Sequence, residues 1–92
     1  MTREKILEAA YQMAVRDGFN SLTRDSIAAE AETAKGAVNH HFGTVSVVRD
    51  EVMRMAIENE ELSIIAQGLA TDDGIAKSAP LELRTRALTT LL

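Results

Sequence analysis

Lys35, Asn39 and His40 fall within one short stretch, with Thr33 just before it and Thr44 just after. A lysine there offers a point charge to phosphate or to a guanine edge, and an asparagine can pair with adenine bidentately. Histidine and threonine reach phosphate oxygens. Gly36 and Ala37, lying between them, allow a ligand to come close to the backbone. Upstream, Thr23 and Arg24 add a hydroxyl and a guanidinium of the same character. This is the chemistry of binding rather than of bond breaking. The chain has no Cys, no Ser-His-Asp arrangement with supporting context, no phosphate loop and no metal-spaced cluster. His40 and His41 are adjacent, so on a helix they diverge by about 100°, and no third ligand is near in sequence. Neither an enzyme nor a metal or cofactor site is expected.

Holding such side chains together requires an apolar underside. Ile27, Ala28 and Ala31 recur on one helical face, and Val38 and Phe42 share a face at i, i+4 spacing. The stretch from Leu22 to Phe42 therefore reads as a short helix, a tight break and a second short helix with a small, polar leading edge. That shape suits a DNA groove. Before it, Ile6, Leu7, Ala10, Met13 and Ala14 form the stripe of a first helix, with Tyr11 beside them. Thr2 is placed to cap this helix and Glu4 sits near its positive end. Gly18 ends it as a left-handed cap and Phe19 folds back on the core. Thr23 is a good N-cap for the second helix, with Leu22 and Ile27 as a hydrophobic staple.

The same residues carry a family resemblance. Thr23, Ile27-Ala28, Lys35-Gly36-Ala37-Val38 and His40-His41-Phe42 are similar in order and spacing to the helix-turn-helix of tetracycline-repressor (TetR) family transcription regulators. Upstream, Ile6 to Phe19 resembles that family's first helix and its Gly-Phe stop, and the likeness covers roughly residues 3 to 57. It implies an all-α fold, a homeodomain-like three-helix bundle, and sequence-specific binding of double-stranded DNA by a regulator, most simply a repressor. The residues it assigns to DNA are Thr23, Arg24, Thr33, Lys35, Gly36, Ala37, Asn39, His40, Thr44 and Arg49. Four positions depart from the family pattern. Glu32 stands where a glycine is usual, and a positive φ there would cost about 1 kcal/mol. Ala34 replaces a serine cap, Asn39 a tyrosine, and Val45 a lysine that clamps phosphate; Arg49, one turn on, is the substitute. Gly36 reads either as tight packing against the second helix or as close approach to DNA, and in the family both hold.

Gly43-Thr44 ends the recognition helix and caps the next. Beyond it, Val45, Val48, Val52, Met55, Asn59, Leu62, Ala66 and Leu69 alternate three- and four-residue steps. This predicts one long fourth helix from Val45 to Leu69, with Asn59 fixing register in a coiled-coil seam. Thr71 to Gly74 reads as a break, and a leucine-rich C-terminal helix follows Pro80. The expected organisation is a helix-turn-helix domain over 1–54 and a helical dimerisation extension over 55–92. The expected interface is Val52, Met55, Asn59, Leu62, Ile65, Ala66, Leu69, Leu88 and Leu91, in a small bundle of paired helices. A homodimer would set two recognition helices about 34 Å apart and read a palindromic operator.

The net charge of −4 bears on this reading. Residues 1–54 hold seven Lys/Arg against eight Asp/Glu, and residues 55–92 three against six, so the acidity is concentrated away from the motif. A weakly basic tip predicts modest non-specific affinity. The extension is too short to enclose a pocket of about 300 Å³, so no small-molecule ligand is expected. No apolar run reaches the roughly 18 residues of a membrane span and the N-terminus is charged, which points to a cytoplasmic protein without membrane contact. The alternative is a protein-interaction module that antagonises a related regulator by heterodimerisation.

Overall fold

In a computed structural model, residues 2–91 are described. The apolar stripe of α1 (Thr2–Asp17) is buried through Ile6, Ala10, Tyr11, Met13 and Ala14. The helix begins at Thr2 itself, so Thr2 lies inside it rather than capping it. After Asp17 the chain turns at Gly18, whose φ of 100° and ψ of 151° make it an extended residue of positive φ instead of the expected left-handed cap. A single 3-10 turn, Phe19–Ser21, follows and drives Phe19 fully into the core. Then come α2 (Arg24–Glu30), α3 (Lys35–Phe42) and α4 (Val45–Glu58). The fold is all-α, as expected: no described residue is in a strand.

The predicted long helix is broken. α4 ends at Glu58, and α5 (Leu62–Ala70) starts after a turn in which Glu60 takes a φ of 54°. The turn is a Schellman closure: Glu61 N–H donates to the Ala56 carbonyl at 2.8 Å and Glu60 N–H to that of Ile57 at 3.3 Å. Asn59 occupies the C-cap, and its side-chain amide donates to the Tyr11 hydroxyl at 3.2 Å. It therefore ties α4 to α1 of the same chain and is no register residue of a seam. The turn folds α5 back so that Ile64 and Ile65 reach full burial. Burying two isoleucines is worth about 3–6 kcal/mol. A left-handed glutamate costs about 1–2 kcal/mol, so burial prevails over the strain.

Two more helices end the same way. Thr33 and Glu32 N–H donate to Ala28 and Ala29 carbonyls after α2, and Asp73 and Asp72 N–H to Gly68 and Leu69 after α5. Glu32 and Asp72 have φ values of 55° and 62°. All three left-handed positions are acidic residues where glycine is the usual choice. Asp73 then caps a one-turn helix, α6 (Gly74–Lys77), by accepting from Ala76 N–H at 2.9 Å. At Pro80 the last helix, α7 (Leu81–Thr89), begins.

α7 packs chiefly against α5, and α6 against α4 and α5. Gly68 makes the α5 approach possible: a Cβ there would stand 2.5 Å from the Met53 methyl and 2.8 Å from the Ala76 Cβ. One buried apolar cluster runs from Ile6 through Ala87, so residues beyond Met55 share a core with the N-terminal helices. No helix among the described residues is long and apolar enough to cross a membrane.

Candidate nucleic-acid interface

The two helices of the tip are held from below. Ile27, Ala28 and Ala31 on the α2 side and Val38 and Phe42 on α3 are buried in the common core. Arg3 secures the far end of α3, its guanidinium 4.5 Å from the Phe42 ring centroid and hydrogen-bonded to Glu51 at 2.6 Å. At the start of α2 the expected N-cap forms. The Thr23 hydroxyl oxygen accepts from Ser26 N–H at 3.1 Å, and the Ser26 hydroxyl oxygen accepts from Thr23 N–H at 3.0 Å. This closes a capping box and fixes where α2 begins.

α3 starts differently. Ala34 occupies its N-cap with extended backbone and makes no side-chain cap bond. Lys35, Gly36, Asn39 and His40 are exposed along this helix, whereas Thr33 and Ala37 are half-buried. An ideal Cβ on Gly36 would meet nothing within 4 Å. Packing against α2 therefore does not account for a glycine here. His40 and His41 stand edge to face with centroids 5.1 Å apart, and His41 is the more buried of the pair, next to Phe42. Among the described residues no group of three or more His, Cys, Asp or Glu is placed to hold a metal ion.

Thr23, Arg24 and Thr44 are also exposed, and Thr44 stands at the N-cap of α4 without a side-chain cap bond. Arg49 is engaged elsewhere. It is half-buried, with its guanidinium 4.8 Å from the Phe19 ring centroid, so an aromatic edge of the core holds it where a free phosphate clamp was expected.

One residue of the tip escaped the sequence reading. Asp25 lies beside Arg24, and its carboxylate takes Arg24 Nε at 3.2 Å and Lys35 Nζ at 3.3 Å. These two cations, Arg24 first, hold the Asp25 carboxyl below its ordinary range. The only hint in the sequence is an acid beside Arg24. Its contact with Lys35, ten positions on, depends on how α3 turns back across α2.

Apart from Asn59, which caps α4 and bonds to Tyr11, the residues expected at a dimer interface separate into three groups. Val52, Ile65 and Ala66 are 0%, 0% and 1% exposed, so they belong to the core of the protomer and have no surface to offer a partner. For Ile65 and Ala66 the helix break at Asn59–Glu61 is the reason, because it turns the α5 face inward. Met55, Leu62 and Leu69 are half-buried against that core. Leu88 and Leu91 remain exposed at 48% and 57%, and Leu81, not among the expected residues, reaches 69%.

Compared with known families, the chain matches the model described as bacterial regulatory proteins, tetR family, over residues 6–44. That match runs from the first buried residue of α1 through α2 and α3 to the residue capping α4. No curated protein and no solved structure matches the chain. The matched residues, the capped α2 and the exposed leading edge of α3 coincide, so residues 6–44 are similar to the helix-turn-helix segment of tetR-family bacterial regulatory proteins.

Proposed function

We propose that the chain is a sequence-specific, double-stranded-DNA-binding repressor that acts in the cytoplasm as a homodimer on a palindromic operator, without a small-molecule inducer. The observation that carries this reading is the tip of α3. Within a tetR-family segment, Lys35, Gly36, Asn39 and His40 stand exposed above a buried underside of Val38 and Phe42. Lys35 contacts phosphate or a guanine edge, Asn39 an adenine edge or phosphate, and His40, Thr23, Thr33 and Thr44 phosphate oxygens. Gly36 and Ala37 let the backbone approach the duplex.

Residues 55–92 serve as the dimerisation extension, through a surface different from the helical seam. Leu81 and Leu88 are seven residues apart on α7 and so share a face, opposite the buried Leu83 and Ala87. Leu91 extends that surface. The second reading, pairing with a related regulator to keep it off DNA, draws on the same exposed leucines and on the ion pairing of Lys35 with Asp25.

Selection from random duplexes followed by titration at several salt concentrations tests the proposal. A palindromic consensus is expected, with log affinity falling against log salt in proportion to the phosphates contacted. Lys35→Ala weakens binding at all sequences and reduces that slope by about 1. The paired change Leu81→Lys with Leu88→Lys yields a folded monomer in sedimentation. A flat salt dependence with no selected consensus overturns the DNA-binding reading. Recovery of a related regulator bound to the chain in that case favours the second.

A further inference from the structure

Between Leu22 and Phe42 the only Lys or Arg residues are Arg24 and Lys35, against three acids, Asp25, Glu30 and Glu32. Both cations share one carboxylate, that of Asp25, at 3.2 and 3.3 Å. Glu30 is occupied with Arg16, whose guanidinium it meets at 2.9 Å, and Glu32 makes no ion pair with any described residue. The tip's positive charge is thus half-cancelled from within before any ligand arrives, and by one residue only.

We propose that Asp25 is an internal competitor for DNA phosphate: its carboxylate occupies Arg24 and Lys35 in the free protein, and a phosphate must displace it to bind them. The inference rests on the DNA-binding reading of the preceding subsection and adds the residue that sets how strongly the tip holds the backbone. All three side chains are well exposed, at 47%, 57% and 63% for Arg24, Asp25 and Lys35, so the ion pairs open readily and the competition is graded. Because phosphate contacts carry no sequence information, the brake acts on every duplex alike. It holds down binding to the large excess of unrelated DNA, leaving base-edge contacts along α3 to decide where the protein stays. The capping box of Thr23 and Ser26 does not use the Asp25 carboxylate, so Asp25→Asn leaves that cap intact.

The test is fluorescence anisotropy with a labelled duplex of unrelated sequence at several potassium chloride concentrations, on wild type, Asp25→Asn, Asp25→Glu and Glu32→Gln. Asp25→Asn is expected to bind about three- to tenfold more tightly, with a log–log salt slope steeper by about 1 to 2 as the freed cations displace counterions. Asp25→Glu stays near wild type. Glu32→Gln removes the same formal charge from a residue with no cation partner, and gains less than Asp25→Asn. In the background Arg24→Ala with Lys35→Ala, the excess of Asp25→Asn over Glu32→Gln disappears. An Asp25→Asn gain no larger than that of Glu32→Gln overturns the competitor role, since net charge alone then accounts for it. Wild type that binds duplex while Asp25→Asn binds equally or more weakly overturns it as well, and leaves the DNA-binding reading standing. Failure of every variant to bind any duplex removes both. Thermal melts of each variant confirm that the folded protein is being compared.

Discussion

Replacing Glu32 with glycine should stabilise the protein although it deletes a whole side chain. Glu32 has a φ of 55°, in the left-handed region, at the turn between α2 and α3. For a residue with a Cβ that conformation costs about 1–2 kcal/mol. Glycine adopts it freely but loses about 0.5–1 kcal/mol more backbone entropy on folding. The difference, about 0.5–1 kcal/mol, favours Glu32→Gly. No other term of that size opposes it, because Glu32 is exposed and forms no ion pair with a described residue. The two Schellman hydrogen bonds at this turn, Thr33 to Ala28 at 3.0 Å and Glu32 to Ala29 at 3.2 Å, involve backbone only and survive the change. For a domain of this size the gain corresponds to a Tm increase of about 2–8 °C. Glu32→Ala is the control: it removes the same carboxylate and keeps the Cβ, so its stability should stay near wild type. Urea denaturation of the three proteins reads the effect as a shift in midpoint at constant m-value. A midpoint for Glu32→Gly equal to or below that of Glu32→Ala would refute the claim that this turn stores backbone strain.

Three further outcomes follow from contacts elsewhere in the fold. Asn59→Ala should cost about 0.5–1.5 kcal/mol through loss of the bond to Tyr11, and Tyr11→Phe should add little in that background; a change of oligomeric state on Asn59→Ala would restore the seam reading. Gly68→Val should destabilise by about 1–3 kcal/mol or more in thermal melts, since its Cβ alone would stand 2.8 Å from that of Ala76; wild-type stability would mean that α5 and α6 separate easily. Asp17 and Glu30 are both held below the ordinary carboxylate range, chiefly by hydrogen bonds from Arg16. A native value below the unfolded one means their contribution is complete above about pH 4 and fades as pH falls through the native values. Arg16→Ala should therefore flatten the fall of Tm below about pH 4, and an unchanged acid profile would show these pairs to be inert.

Local rules acting within a few residues made the N-terminal half legible. The stripe of Ile6, Ala10, Met13 and Ala14, the Thr23 cap, the uncapped start at Ala34 and the Gly43 stop are each set by near neighbours along the chain, and the structure has them in place. The all-α class and the helix-turn-helix depend on such signals, which is why the two-helix tip could be located from residue types and spacing. The reading went astray where periodicity was extended across a turn that carries no glycine or proline. Val45 to Leu69 keeps a three-four rhythm on both sides of Glu60, because α4 and α5 each bury one face in the same core. Spacing alone cannot distinguish one continuous stripe from two that meet at an angle. Only the burial of Ile64 and Ile65 in the common core compensates a left-handed glutamate, and that burial exists only in the folded chain. For the same reason Ile65 and Ala66 belong to the interior and not to an interface. The pairing of Asp25 with Lys35 belongs to the same class, since the angle between α2 and α3 brings the two charges together and no periodicity records it. Sequence by itself determined which segments are helical and where the two-helix tip lies; tertiary structure decided where the helices bend, which apolar residues stay uncovered and how much of the tip's charge is free.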